Sequence, residues 1–200
     1  MPDFSIEDQY PGPIAGIDEA GRGPWAGPVV AAAVILDRDN LPDGLNDSKQ
    51  LSHKKRELLF ELIRQSAQVG VGISSVAEID SINIARANDL AMERAVDALP
   101  TRPEFLLIDG RWVPRGLSQP AKAVIKGDTL SLSIAAASII AKVTRDRIMA
   151  ELAETYPGYS WETNQGYGTT AHAEALKTLG VTPHHRVSFK PIYNMLCEEN

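Results

Sequence analysis

The chain has 200 residues, of which 44% are hydrophobic and 23% are charged, as in an ordinary globular protein with one domain and a substantial core. Its formal net charge of −6 argues against a protein that coats nucleic acid through bulk positive charge, but it does not exclude a local basic groove. The single cysteine, Cys197, excludes an internal disulfide bond and is typical of a reducing compartment.

The N-terminal residues give no sign of export or membrane insertion. They carry Asp3, Glu7 and Asp8 and lack an apolar core, so we expect no secretory signal peptide. The longest apolar stretches, at 29–36 and 134–141, are far too short to span a bilayer. We therefore expect a cytoplasmic enzyme or binding protein that does not associate with membranes.

The apolar patterns predict an α/β chain in which strands come first and helices and strands then alternate around a mixed sheet. In the first part of the chain we predict a loose tail at 1–12, strands at 14–19 and 28–36, a loop at 37–46 and a helix from Ser52 to about Gln68. A strand at 69–76 follows, and then a helix that starts at Asp80 or Ser81 and ends before Pro100. The remaining predicted elements are strands at 105–109 and 121–126, a long Ala-rich helix at 130–155, and a short helix from Thr169 or Thr170 to Gly180. The residues from Val181 onward are predicted to be irregular and to pack on the body.

Four acidic residues stand at the ends of predicted strands or just beyond them. Asp18 and Glu19 lie in the first strand, Asp109 ends the run EFLLIDG, and Asp128 closes AVIKGD before the long helix. Because each follows an apolar stretch, all four could converge at one end of the sheet. Clustered carboxylates repel one another, and a divalent cation relieves the repulsion. Oxygen ligands suit Mg²⁺ or Mn²⁺ better than zinc, and a pair of such ions could clamp a phosphodiester and activate water.

Taken singly, each of these acids also has an ordinary explanation. An Asp-Glu doublet is usually a solvated strand edge, because acids are rarely buried. Asp109 followed by Gly110 is typical of a turn, and Asp128 could simply cap the helix that follows. The convergence of the four carboxylates is therefore a hypothesis at this stage.

A glycine-rich stretch, Gly21-Arg22-Gly23, directly follows the first two acids. Glycines let a backbone approach a ligand closely and direct amides at an anion, and an arginine adds charge. The stretch is neither a Walker loop nor a dinucleotide-binding fingerprint, because a strand-like run follows it instead of a helix. A simple hairpin connection is the alternative that the residues alone favour.

The segment GIDEAGRGPWAGPVVAAAVIL closely resembles the signature of bacterial ribonuclease HII. Further blocks resemble the same family in the same order over nearly the whole chain: LNDSKQLS, LLIDG, IKGD, SIAAASIIAKVTRDR, GYGT and HHRVSFKP. The chain departs from the usual pattern at Ala20 and Trp25, where valine and leucine are more common in the family. Both changes keep an apolar side chain and do not alter the chemistry of the site.

The resemblance implies a ribonuclease H-like α/β fold, a mixed five-stranded sheet flanked by helices with a helical C-terminal extension at about 157–200. It implies an endonuclease that cleaves RNA in RNA–DNA hybrids and cuts 5′ of a single ribonucleotide in duplex DNA, leaving a 3′-hydroxyl and a 5′-phosphate. Roles in ribonucleotide excision repair and RNA primer removal follow from that activity. We expect one catalytic domain over 1–200 that works as a monomer, and the sequence does not reveal a replication partner.

The resemblance also assigns roles to individual residues. Asp18, Glu19, Asp109 and Asp128 match the four catalytic carboxylates, which would hold two Mg²⁺ or Mn²⁺ ions; Asp128 lies in the more variable approach to the helix. Gly21, Arg22 and Gly23 match the motif that reads the ribose 2′-hydroxyl. Tyr167 matches the tyrosine that stacks on the sugar after the ribonucleotide, and Lys49 a position near the phosphates. Without the family, Tyr167 would be a half-buried turn aromatic and Lys49 a solvated lysine.

The remaining basic residues receive more ordinary predictions. Arg145 and Arg147 on the long helix are predicted to be surface charges or members of ion pairs. A patch that could touch the duplex backbone is predicted from His184, His185, Arg186 and Lys190. We expect a structural role for His172, near Tyr167. The histidines lack metal-ligand spacing, so zinc is excluded.

Two rival functions stay open. A non-catalytic nucleic-acid-binding module would share the fold, although four acids without a metal would repel phosphates. A ribonuclease H-like nuclease restricted to longer hybrids is the second rival. The sibling ribonuclease HIII usually carries an extra N-terminal domain, and we expect none in the short segment before Ile14.

Overall fold

A mixed five-stranded sheet organises the chain, with the strand order β3-β2-β1-β4-β5. The computed structural model describes residues 1–198. The strands are β1 (Ile14–Ala20), β2 (Val29–Leu36), β3 (Ala67–Ser74), β4 (Phe105–Asp109) and β5 (Ala121–Val124). β1 pairs antiparallel with β2 and parallel with β4, β2 pairs antiparallel with β3, and β4 pairs parallel with β5. The predicted mixed five-stranded sheet is confirmed.

Residues 1–198 also form six α-helices. They are α1 (His53–Ser66), α2 (Val76–Asp97), α3 (Leu132–Thr155), α4 (Trp161–Asn164), α5 (Thr170–Leu179) and α6 (Lys190–Glu198). Short 3-10 helices lie at Glu7–Gln9, Ser48–Gln50 and Gly127–Thr129. None of the helices in this described part combines the length and the apolar character that a membrane-spanning helix needs.

The two faces of the sheet bury separate apolar clusters. One face packs on α2 through residues such as Ile17, Ala31 and Ile108, and the other packs on α1 and α3 through residues such as Val34. Each fully buried isoleucine or valine contributes about 1.5–3 kcal/mol. The helix α3 lies close against β1 because Gly16 has no side chain; a Cβ there would overlap the main chain of Ser133. This close packing holds α3 beside the end of β1.

The helix α2 begins earlier than the sequence predicted, and a start at Asp80 or Ser81 is wrong. Ser75 caps it: the Ser75 hydroxyl accepts from the Glu78 amide at 3.2 Å, and the Glu78 carboxylate accepts from the Ser75 amide at 2.8 Å. The helix is interrupted at Asn83, whose φ of 65° and ψ of 161° are not helical. The Asn83 side chain caps the restart by accepting from the Arg86 amide at 3.1 Å.

The ends of the chain are more ordered than predicted. Residues 1–12 were predicted to be loose, but Glu7 is buried and accepts from the hydroxyls of Ser131 at 2.6 Å and Ser133 at 2.7 Å. Tyr10 stacks on Phe105 with ring centroids 3.7 Å apart. The region after Val181, predicted to be irregular, contains α6. Residues of α4, α5 and α6 pack together on the end of α3 around the buried Trp161.

Candidate active site

Three of the predicted carboxylates meet at one edge of the sheet. Asp18 follows Ile17 in β1, Asp109 ends β4, and Asp128 lies in the 3-10 helix Gly127–Thr129. Since β1 and β4 are parallel neighbours and Ile17 pairs with Ile108, the next residues, Asp18 and Asp109, lie side by side. Asp18, Asp109 and Asp128 each offer an oxygen, and these oxygens lie within 4.8 Å of one another. Such a set of oxygen donors suits a hard divalent cation.

The main chain fixes Asp109 relative to Asp128. The amide of Gly127 donates to Asp109 Oδ1 at 2.7 Å, so the end of β4 is joined to the 3-10 helix that carries Asp128. Asp128 is buried, and Lys49 Nζ lies 3.5 Å from its Oδ2. The Lys49 side chain is 77% exposed, and an ion pair of that kind contributes little to stability. Lys49 therefore stands at the rim, free to reorient toward a ligand.

Glu19 takes a different position from the other three acids. Successive strand residues point to opposite faces, so Glu19 does not share the direction of Asp18. Its carboxylate accepts from Arg22 Nη1 at 3.2 Å and is not among the three carboxylates whose oxygens meet. Glu19 nevertheless lines the same cleft. The structure thus brings together three of the four predicted carboxylates and places the fourth beside them.

Burial makes three of these carboxyl groups, those of Asp18, Glu19 and Asp128, resist ionisation. It raises the pKa of Asp18 well above its usual range, and the negative charges of Glu19 and Asp109 raise it further. Burial also raises the pKa of Asp128, with the Asp109 charge adding to the effect. The pKa of Glu19 is raised by burial too, although Arg22 opposes the shift. A bound divalent cation would remove this unfavourable repulsion.

The carboxylates lie in a cleft of about 320 Å³ at the carboxyl end of the parallel strands β1 and β4. The lining residues combine acidic, basic, small and aromatic side chains: Asp18, Glu19, Ala20, Gly21, Arg22, Gly23, Ser48, Lys49, Asp109, Ser138, Lys142, Arg145 and Tyr167. All predicted site residues except Asp128 are in this list, and Asp128 adjoins it through Lys49 and Asp109. Ligands commonly bind at this edge of an α/β sheet.

The glycine-rich stretch and Tyr167 face each other across one side of the cleft. Gly21 has a φ of +98°, and a Cβ at this position would overlap the Arg145 side chain. A Cβ on Gly23 would meet only the Tyr167 ring, at 3.5 Å from Cε1. The Tyr167 side chain is exposed, so its ring is available to a ligand. The sequence Gly21-Arg22-Gly23 is therefore a wall of the cleft and more than a hairpin connection.

Several predictions for basic residues are wrong. Arg145 was predicted to lie at the surface, but it is 1% exposed. His185 and Arg186, predicted to form part of a basic patch, are equally buried. Helical spacing could have found Arg145, because it lies four residues from Ala141 and four from Met149, which are both buried. Nothing comparable in the sequence indicates that Arg186 is buried.

Arg147 agrees with its prediction as a surface ion-pair residue. It bridges to Glu61 at 3.0 Å and also contacts Glu57, both on α1. Lys142, on the same helix and lining the cleft, pairs with Asp146 at 2.6 Å. The long helix therefore presents basic residues in two ways: Arg147 holds α1 and α3 together, whereas Lys142 and Arg145 border the cleft.

Comparison with known proteins gives a consistent result. The sequence model described as Ribonuclease HII matches residues 15–192. Ribonuclease HII of Magnetococcus marinus is 65% identical over 185 residues, which cover 92% of this chain and 87% of that protein. The crystal structure of ribonuclease H2 from Pyrococcus horikoshii superposes with a TM-score of 0.79 at 27% identity, covering 92% of this chain and 97% of that one. The structure of the PCNA:RNase HII complex from Archaeoglobus fulgidus superposes with a TM-score of 0.74 at 31% identity, covering 89% of this chain and 95% of that one.

Proposed function

The chain belongs to the ribonuclease HII family and is therefore an endoribonuclease of RNA–DNA hybrids, and we propose that it also cuts 5′ of single ribonucleotides in duplex DNA. The products would carry a 3′-hydroxyl and a 5′-phosphate. The meeting of Asp18, Asp109 and Asp128 within 4.8 Å is the observation that carries the proposal. A non-catalytic binding module would gain nothing from three crowded carboxylates that repel the phosphates of its ligand.

We assign the binding of two Mg²⁺ or Mn²⁺ ions to Asp18, Asp109, Asp128 and Glu19. When bound, such a pair supplies an activated water and neutralises charge on the leaving 3′-oxygen. Asp18 and Asp109 would hold the ions together with Asp128, since they lie side by side on adjacent parallel strands and the three carboxylates offer oxygens within 4.8 Å of one another. Glu19 points to the other face of the strand and would add a further carboxylate ligand, which at present accepts a hydrogen bond from Arg22. Lys49 would exchange its contact with Asp128 for a phosphate of the substrate.

Recognition of the ribonucleotide is assigned to the opposite side of the cleft. The main chain of Gly21, Arg22 and Gly23 would bind the 2′-hydroxyl, because the two glycines on either side of Arg22 let a ligand approach the backbone closely. The Tyr167 ring would stack on the next sugar. Its flat face accepts deoxyribose and crowds a 2′-hydroxyl, so an RNA-to-DNA junction would be preferred.

The biological setting that fits this activity is ribonucleotide excision from DNA and removal of RNA primers in the cytoplasm, by one catalytic domain acting as a monomer. The A. fulgidus relative was solved with PCNA, which supports a link to replication or repair. Size-exclusion chromatography with light scattering, with and without a sliding clamp, would test the monomer and reveal any such partner.

The decisive experiment is cleavage of a duplex with one ribonucleotide by the wild type and by Asp109→Asn, in Mg²⁺ and in Mn²⁺, with both product ends mapped. We expect the wild type to cut 5′ of the ribonucleotide and Asp109→Asn to lose at least about a thousandfold in rate. Asp39→Asn, an exposed loop acid, is the matched control and should cleave like the wild type. Near-full activity of Asp109→Asn would disprove the site assignment, and activity on long hybrids alone would favour the restricted nuclease.

A further inference from the structure

Two guanidinium groups lie buried directly behind the wall Gly21-Arg22-Gly23. Arg145 on α3 is 1% exposed, and Arg186, just before α6, is 0% exposed. Neither forms an ion pair with a carboxylate in residues 1–198, although Asp80 acts on Arg186 at longer range. Burying a charge without an ion-pair partner is costly unless strong hydrogen bonds compensate. The hydrogen bonds of these two groups therefore indicate why they are there.

Arg186 donates only to main-chain oxygens of the segment 21–28. Its Nη2 lies 2.6 Å from the oxygen of Gly21, its Nη1 3.0 Å from that of Arg22, and its Nε 2.9 Å from that of Gly27. Nη2 also reaches the oxygen of Pro28 at 3.2 Å. One planar side chain thus clamps both ends of the loop that forms the wall of the cleft.

Arg145 connects the same loop to the turn that carries Tyr167. Its Nε donates to the oxygen of Pro28 at 3.0 Å and its Nη2 to that of Ala26 at 3.1 Å. Its Nη1 donates to the oxygen of Gln165 at 3.0 Å, two residues before Tyr167. The main chain adds a further link, since the amide of Trp25 donates to the oxygen of Gly166 at 2.8 Å. The glycine wall and the tyrosine turn are therefore held at one spacing.

The clamp also decides which backbone groups remain free for a ligand. In a trans peptide the carbonyl and the following N–H point in opposite directions. Because Arg186 binds the oxygens of Gly21 and Arg22, the N–H groups of Arg22 and Gly23 point away from it. These two N–H groups donate to no acceptor within the described residues, and both residues line the cleft. They are donors already oriented for a hydroxyl or an anion.

We propose that Arg145 and Arg186 are positioning residues for ribonucleotide discrimination. They hold the free N–H groups of Arg22 and Gly23 at a fixed distance from the Tyr167 ring. At that spacing the site distinguishes ribose from deoxyribose by the single 2′-hydroxyl. The inference rests on the proposed recognition of ribose by this wall. A purely structural role would stabilise the fold without affecting the choice between ribose and deoxyribose.

The test compares binding of two duplexes that differ in one 2′-hydroxyl, in the background Asp109→Asn, by fluorescence anisotropy. Arg186→Lys keeps a positive charge but loses the planar fork that contacts several oxygens at once. We expect the ratio of ribose to deoxyribose affinity to fall by about fivefold, with little change for the all-deoxy duplex. Arg145→Lys should lower the same ratio. Arg147→Lys, on the same helix but exposed, is the control and should leave the ratio unchanged.

The outcomes separate this inference from the proposed function. If Asp109→Asn itself shows no preference for the ribonucleotide duplex, recognition of ribose by the glycine wall is wrong. If Asp109→Asn shows that preference and both lysine variants retain it, the arginines have only a structural role. The same holds if the lysine variants weaken the affinities for the ribose-containing and the all-deoxy duplex equally. Failure of both variants to give a cooperative melting transition would also assign them to stability and overturn the proposal.

Discussion

His172 Nδ1 lies 3.0 Å from the main-chain oxygen of Tyr167, and the hydrogen bonds around it fix the proton positions of two buried histidines. Trp161 Nε1 can only donate, and it lies 3.2 Å from His172 Nε2, so the neutral His172 carries its proton on Nδ1 and donates it to Tyr167. His185 Nδ1 accepts from the Thr182 amide at 2.9 Å, and its Nε2 then donates to His172 Nε2 at 3.0 Å. Protonation of His172 Nε2 or of His185 Nδ1 would remove the acceptor of Trp161 or of Thr182, so this network requires both rings to be neutral.

The contribution of His185 to the stability of the protein should consequently be lost as the pH falls below about 6.5. Burial, together with the neighbouring His172, lowers the pKa of His185 from 6.5 to about 4. The unfolded chain therefore binds a proton from about pH 6.5 downward while the folded chain does not, and stability is lost across that window, by about 3 kcal/mol at most. Chemical denaturation at pH 7.5 and 4.5 would measure this loss. His185→Asn should flatten the slope and the exposed His53→Asn should not; equal slopes in all three would contradict the assignment.

A divalent metal should stabilise the wild type and have little effect on the stability of Asp18→Asn. Without metal, removal of one crowded, buried charge should leave the variant as stable as the wild type or more so by about 1 kcal/mol. With saturating Mg²⁺ or Mn²⁺, the wild type should gain melting temperature and the variant should gain little, since a ligand that binds only the folded state stabilises it. Differential scanning fluorimetry in chelator and in metal would measure both. A metal-dependent gain of equal size in the two proteins would place the ion elsewhere.

The positions of the core strands could be predicted from the sequence, whereas the site could be predicted only in part. Apolar runs mark β1, β2 and β4 because strands buried on both faces contain little else. The early start of α2 was missed because the interruption at Asn83 hides the continuity of the helix. Arg145 was missed although its helical spacing from Ala141 and Met149 marks a buried position. Arg186 was missed because its partners are main-chain oxygens more than a hundred residues away in the sequence, which no local pattern can indicate.

The carboxylate cluster illustrates the same limit. The residues indicate that Asp18 lies in a strand and that Asp109 ends one, but only the parallel pairing of β1 with β4 places them side by side. Side chains alternate in direction along a strand, so the predicted strand at 14–19 already implies that the Glu19 carboxylate points away from that of Asp18. Family resemblance supplied the roles, and the structure supplies the distances.

The glycines of the wall should respond differently to the same substitution. Gly21→Ala forces an alanine into a φ of +98° and against Arg145, and we expect it to cost roughly 2–4 kcal/mol of stability. Gly23→Ala meets only the Tyr167 ring at an ordinary distance, so it should fold normally. It should nevertheless lose most of its cleavage at single ribonucleotides, because the new methyl group occupies space that the ribose needs. Thermal unfolding and cleavage rates measured on both variants would check the contrast; full activity of a folded Gly23→Ala would remove the wall from substrate recognition.

Tyr167 should contribute through its ring rather than through its hydroxyl. No hydrogen bond from the Tyr167 hydroxyl is present within the described residues, and its side chain is 49% exposed. Tyr167→Phe should therefore keep most of the preference for a single ribonucleotide, because stacking on the neighbouring deoxyribose persists. Tyr167→Ala should lose about tenfold or more in rate on that substrate, as expected when an aromatic contact with a nucleotide is removed. On a uniform RNA–DNA hybrid the loss should be smaller, because the 2′-hydroxyl of the next sugar already weakens the stacking. Cleavage of both substrates by the three proteins under single-turnover conditions would measure the two losses, and equal losses in Tyr167→Ala would show that the ring does not select the junction.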